Sequence, residues 1–131
     1  MTMKTPEDAQ AGTEEKRIYD AGIEEGAKKL TPEKIRSVFN DLMQTEGGAR
    51  LEAYTKACVH CGLCSDACHH YLSNDRDPRF SPAGKVKQTI TEIVSRKGKV
   101  DADFMKRACE IAFTECNLCR RCMIYCPFGI D

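Results

Sequence analysis

The chain contains no Trp, and aromatic residues make up only 7% of its 131 positions, so a core built on large aromatic side chains is excluded. It also lacks an excess of either charge. Twenty basic and 20 acidic residues leave a formal net charge of zero, which gives no support for a nucleic-acid-binding surface. No window approaches the run of about 18 apolar residues needed to cross a bilayer. The N-terminal MTMKTPEDAQ holds no apolar stretch of the kind a secretion signal requires. Sustained alternation of apolar and polar residues is missing too, so almost no sheet is expected. A hydrophobic fraction of 41% promises one domain with a modest core, which something besides apolar burial must help hold together.

Cysteine is what the chain has in excess. Eight of its nine cysteines repeat one spacing, C-x2-C-x2-C-x3-C: Cys58, Cys61, Cys64 and Cys68, then Cys116, Cys119, Cys122 and Cys126. Without a secretion signal a disulfide framework has no oxidising compartment to form in, so the cysteines read as metal ligands. The spacing is the ligand set of two cubane [4Fe-4S] clusters, whose iron moves single electrons. Paired C-x2-C units also suit zinc, and a structural zinc module is the remote alternative. Three cysteines at intervals of three wrap one face of a cube, and the fourth iron takes its ligand from elsewhere. In two-cluster ferredoxins the fourth cysteine of each run crosses to the other cluster. By that rule Cys126 completes the cluster of Cys58, Cys61 and Cys64, and Cys68 completes that of Cys116, Cys119 and Cys122. Ligation then becomes a large part of folding.

Residues 1–30 are polar and charged, with Gly12, Gly22 and Gly26 expected to interrupt any helix, and read as a flexible or partner-ordered arm. The domain proper is expected over 31–131. Thr31-Pro32-Glu33 announces a helix carrying Ile35, Phe39 and Leu42 on its apolar face, which Gly47 and Gly48 are expected to end. A second helix, Ala49 to Ala57, turns Leu51 and Tyr54 inward and delivers the chain to Cys58. Between the runs, Ser81-Pro82 opens a helix with Val86, Ile90, Ile93 and Val94 on one face up to Gly98. Asp101 opens another, with Phe104, Ala108, Ile111 and Ala112 aligned, ending near Cys116.

Superposing the runs by cysteine sets Gly62 against Arg120, Leu63 against Arg121, Asp66 against Ile124 and His69 against Pro127. Gly62 suits a close backbone approach or a positive φ. Val59, Leu63, Leu118, Met123 and Ile124 are expected to keep water off the sulfides. Arg120 and Arg121 are expected to raise the potential of the second cluster above that of the first, beside Asp66. One charge at about 6 Å and an effective dielectric near 20 is worth roughly 3 kcal/mol, on the order of 100 mV for one electron. Cys109 reads as a small buried hydrophobe. His60, His69 and His70 read as solvated neighbours of the ligands, with tuning of a potential as the rarer role. Lys85, Lys87, Arg96, Lys97 and Lys99 read as a solvated helix face, with docking of an acidic partner as the alternative.

The doubled motif, with helical sequence between its halves, resembles the α-helical ferredoxin module found in the C subunit of heterodisulfide reductase and in the succinate dehydrogenase iron-sulfur protein. It is most similar to the N-terminal module of heterodisulfide-reductase-D-like and glycolate oxidase iron-sulfur subunits. There C-x-x-C-G-x-C is followed by a Ser-Pro-x-Gly-basic segment, here Ser81, Pro82, Gly84 and Lys85. The resemblance covers about residues 50–131. It implies an all-α fold with two cluster-binding loops between helices, two [4Fe-4S] clusters, and no catalytic residue of its own. It further implies an electron-transfer subunit of a heterodisulfide-reductase-like oxidoreductase complex, with a CCG-domain protein, a flavoprotein or a membrane cytochrome subunit as partner. The alternative is the N-terminal part of a larger enzyme with catalytic CCG domains, since no CCG occurs in this chain. Where the family has Pro after the fourth cysteine of each run, the first run has His69. The expected setting is a reducing, anaerobic cytoplasm or the cytoplasmic face of a membrane complex.

Overall fold

The computed structural model describes residues 21–131. Nine α-helices follow one another among them: α1 (Ala21–Lys28), α2 (Pro32–Met43), α3 (Glu46–Ala57), α4 (Leu63–Asp66), α5 (His69–Ser73), α6 (Pro82–Val86), α7 (Glu92–Ser95), α8 (Ala102–Phe113) and α9 (Arg121–Ile124). A 3-10 turn at Pro78–Phe80 precedes α6, and a π turn at Lys87–Thr91 joins α6 to α7. No strand occurs among the described residues, and the all-α expectation holds. None of the described helices is long and apolar enough to cross a membrane.

Local capping sets the helix starts. The Thr31 hydroxyl accepts the Lys34 N–H at 3.3 Å ahead of Pro32, Ser81 accepts the Gly84 N–H at 2.9 Å, and Asp101 accepts the Phe104 N–H at 2.8 Å. The end of α2 differs from expectation. It stops at Met43, Thr45 caps α3, and Gly47 and Gly48 lie inside the first turn of α3 instead of terminating α2. A Cβ on Gly48 would come within 2.4 Å of the Leu42 carbonyl oxygen, so glycine is what lets α3 begin hard against the end of α2. Leu42, expected on the apolar face, is 45% exposed because that face closes at Phe39.

Gly22 and Gly26 do not interrupt a helix. They lie within α1, which packs along α8, where a Lys106–Glu24 ion pair joins the two elements. Tertiary contact of this kind offsets the roughly 1 kcal/mol that each glycine costs a helix. The remainder of the expected arm, residues 1–20 with Gly12, lies outside the described residues.

Ile35 and Phe39 on α2, Val100 just ahead of α8 and Ile111 in the last turn of α8 are the buried apolar residues described. Gly98, at φ +70°, lies against Phe39, and a Cβ there would fall 2.7 Å from the ring. Of the apolar residues between the runs, Ile90, Ile93 and Val94 are half-buried and Val86 is exposed. So small a core leaves much of the holding to whatever joins the cysteine loops.

Candidate metal centre

Helices α3 and α8 each lead into a cysteine run, and the offset of 58 positions from Cys58 to Cys116 also relates one backbone to the other. His60 and Leu118 take φ of 53° and 55°, and Gly62 and Arg120 take φ of 86° and 61°. One short helix follows each turn, α4 in the first run and α9 in the second, with closely matching caps at Ala67 and Tyr125 (φ −89° and −87°). Hydrogen bonds repeat as well. The Ser65 N–H donates to the Gly62 carbonyl at 2.8 Å and the Met123 N–H to that of Arg120 at 3.1 Å. The Cys68 N–H donates to Ser65 at 3.0 Å, and the Cys126 N–H to Met123 at 3.2 Å. Left-handed residues alternating with other conformations turn successive N–H groups into a concavity suited to an anion. His60, Leu118 and Arg120 adopt that conformation with a Cβ, at about 1 kcal/mol or more each.

The thiols stand in two neighbouring groups. Burial pushes the Cys64 thiol above its ordinary range, opposed by the Ala83 N–H and Ser65, while Cys58 and Cys61 add to the rise. Burial does the same to Cys122, opposed by the Met123 N–H, with Cys64, Cys116 and Cys119 adding to it. Each third cysteine therefore senses the first two of its own run, and Cys122 also senses Cys64 across the packed pair α4 and α9. Cys61 and Cys119 face solvent, while the other six of the eight are half-buried. The Leu118 N–H lies 3.4 Å from the Cys116 Sγ. At the matching point of the first run, His60 Nδ1 lies 3.9 Å from the Cys58 Sγ.

A further contact joins the runs. His69 Nε2, next to Cys68, lies 3.5 Å from the side-chain nitrogen of Asn117, next to Cys116. Cys68 Sγ is 3.9 Å from the Phe80 carbonyl, and among the described residues no comparable side-chain contact is made by Cys126. Among the described residues no three His, Cys, Asp or Glu side chains gather round a point that would hold one metal ion. A cubane asks for a different arrangement, because each thiolate bonds a separate iron. Two loops of matching backbone, each with three cysteines in electrostatic reach of one another, fit that donor set.

Several sequence expectations change here. Lys85 is not on a solvated face: it is 8% exposed and its Nζ donates to the Glu115 carbonyl, beside Cys116. Lys87, Arg96, Lys97 and Lys99 are exposed, as a solvated face requires. Nothing in the sequence marks Lys85 off from them except its place three residues after the Ser81-Pro82 start. Arg120 is ion-paired to Asp131 at 2.8 Å, which offsets the charge expected to act on the second cluster. Of the apolar residues beside the ligands, Val59, Leu63, Leu118 and Ile124 are exposed and Met123 is half-buried. The short helices turn Ser65, Cys64 and Cys122 inward instead. Cys109 is half-buried and lines an apolar groove between α1 and α8 with Ile23 and Met105. His70 is held below the usual imidazole range by burial, then by Lys85 and His69, with Glu115 opposing.

The family described as the 4Fe-4S dicluster domain matches residues 54–130. The Hdr-like menaquinol oxidoreductase iron-sulfur subunit 2 of Archaeoglobus fulgidus is 29% identical over 115 residues, covering 76% of this chain and 20% of its own length. The Hdr-like menaquinol oxidoreductase iron-sulfur subunit of Archaeoglobus profundus matches with the same identity and coverage. The chain thus spans about a fifth of the length of these curated relatives. No solved structure matches it.

Proposed function

This chain belongs to the 4Fe-4S dicluster domain family and carries two [4Fe-4S] clusters, and on that premise we propose that it relays single electrons between subunits of an Hdr-like oxidoreductase complex. The observation that carries the reading is the repeated loop: one backbone conformation, with the same cysteine spacing, occurs twice, and the two copies touch through α4 and α9. Bound there, the clusters supply one-electron chemistry at iron. Cys58, Cys61, Cys64 and Cys126 would hold the first, and Cys116, Cys119, Cys122 and Cys68 the second. The His69–Asn117 contact supports the crossing of Cys68 to the second loop.

The chain's own groups do the remaining work. Backbone N–H groups at Leu118 and Ala83 stabilise thiolate charge on Cys116 and Cys64. Cys61 and Cys119 are the solvent-facing ligands, and a donor or acceptor would approach each cluster from that side. Exposed Leu118, Ile124, Tyr125 and Phe128 flank the second of these and offer contact area to a redox subunit. Such a subunit would be a CCG-domain protein, a flavoprotein or a membrane cytochrome. The Ser81-Pro82-Ala83-Gly84-Lys85 segment supports the finer kinship with heterodisulfide reductase and glycolate oxidase iron-sulfur modules. A reducing cytoplasm, or the cytoplasmic face of a membrane complex, suits thiolate clusters.

A second reading makes the chain the electron-accepting part of a longer enzyme, which the much greater length of the relatives favours. Anaerobic purification tests both. Brown protein whose absorbance near about 400 nm bleaches on reduction and returns on oxidation, without loss of iron, is the expected result. Colourless, zinc-loaded protein overturns it, and the masses of co-purifying chains separate the two readings.

A further inference from the structure

Lys85 is a cation removed from water with only a neutral partner. Its residue is 8% exposed and its ammonium donates to the Glu115 carbonyl. The Glu115 carboxylate is already engaged by Arg107 at 3.1 Å, and no carboxylate pairs with Lys85 among the described residues. Burying an ammonium this way is unfavourable unless an anion lies close by.

The placement of Lys85 is fixed from three sides. Ser81 caps α6 and its carbonyl accepts the Lys85 N–H at 2.9 Å. Gly84 presses on the 3-10 turn so closely that a Cβ would lie 2.2 Å from the Pro78 carbonyl oxygen. Thr89 donates to the Lys85 carbonyl at 2.8 Å as the helix widens into its π turn. The side chain is therefore aimed across to the residue that precedes Cys116, while the same helix start presents the Ala83 N–H to Cys64. His70, two residues beyond Cys68, senses both Lys85 and Glu115. A thiolate-ligated cubane is an anion that gains negative charge on reduction, and it is the counter-ion this lysine otherwise lacks.

We propose that Lys85 is the built-in counter-charge of the cluster held by Cys116, Cys119 and Cys122, and the brace that ties their loop to α6. The proposal rests on the cluster ligation given above, and the iron content of the wild-type chain tests that ligation first. The full chain is purified anaerobically as wild type, Lys85→Gln, Lys85→Met and Lys85→Arg, and each is assayed for iron and titrated by EPR in the presence of mediators. Gln keeps a donor for Glu115 without the charge, and Arg keeps the charge.

In Lys85→Gln and Lys85→Met the more positive of the two clusters is expected to reduce less readily. At its wild-type midpoint the reduced-to-oxidised ratio falls about tenfold, a shift of about 59 mV for one electron. Lys85→Arg stays near wild type. Loss of that one cluster in both neutral variants, with Lys85→Arg still loaded, supports the same role. Full iron with unchanged midpoints in Lys85→Gln or Lys85→Met overturns it. So does loss of iron in Lys85→Arg as well, which would mark a packing role indifferent to charge. Wild-type protein without iron overturns the ligation itself.

Discussion

The two cysteine loops have nearly the same backbone and very different surroundings. Left-handed residues fall at His60 and Gly62 in one and at Leu118 and Arg120 in the other, and each passes into a one-turn helix. Around the first, Ser65 is buried, the Ala83 N–H meets Cys64, and an imidazole stands beside Cys58. Around the second, a backbone N–H meets Cys116, buried Lys85 grips the preceding carbonyl, and Leu118, Ile124, Tyr125 and Phe128 lie open. Ligand spacing and backbone turn decide what is bound, while the flanking residues decide how each site is used. That division predicts two stations of unequal potential.

The largest expected effect breaks the equivalence at the fourth cysteine. Cys68→Ala and Cys126→Ala should each lower iron from about eight to about four atoms per chain. With crossed ligation, the cluster surviving in Cys68→Ala gives the EPR signal and midpoint found in Cys119→Ala, and Cys126→Ala matches Cys61→Ala. The opposite matching would show that each run closes on itself. Next in size is the helix that feeds the first loop. Gly48→Ala drives a methyl group into the Leu42 carbonyl and should cost about 1–3 kcal/mol in thermal denaturation.

A smaller pair of substitutions sharpens the comparison at one equivalent position. A Cβ on Gly62 meets nothing within 4 Å, so Gly62→Ala should cost about 1 kcal/mol through its positive φ alone. Arg120→Gly should gain up to about 1 kcal/mol by relieving the same conformation, less what the Asp131 ion pair contributes. Denaturant midpoints of the two variants would move in opposite directions.

The smallest effect concerns a support of the first run. Asp77 accepts the Arg79 N–H and its guanidinium, both at 2.9 Å, and starts the turn that sets the Phe80 carbonyl beside Cys68. Asp77→Ala should cost about 1 kcal/mol or less. These hydrogen bonds from Arg79 hold the Asp77 carboxyl below its usual range. The unfolded chain therefore binds the proton first on acidification. The contribution is whole above the free pKa of about 3.9 and disappears as the pH falls through the lower folded value. Denaturation of wild type and Asp77→Ala should thus differ at pH 6 and converge in strong acid, at roughly pH 2.

What the sequence made legible was whatever depends on local spacing. The doubled cysteine motif, the all-α class and the starts of α2, α6 and α8 rest on short-range chemistry, and they appear where Thr31, Ser81 and Asp101 put them. Features that depend on distant neighbours were not legible. Gly47 and Gly48 look like a stop signal, yet close approach to α2 draws them into α3. Gly22 and Gly26 look like breakers until α8 is placed beside them. Lys85 belongs by sequence to a basic stretch, and only the return of the chain at Glu115 removes it from water. Arg120 reads as a charge for the cluster, while Asp131 is what it meets. The left-handed turn is announced at Gly62 and hidden at Arg120, although both occupy the same place in the repeat.

An EPR-monitored redox titration of the anaerobically purified wild-type chain tests the unequal stations most directly. Two resolved one-electron midpoints are predicted, the more positive belonging to the cluster that Cys119→Ala removes. A single shared midpoint, or a more positive value for the cluster that Cys61→Ala removes, would contradict the account.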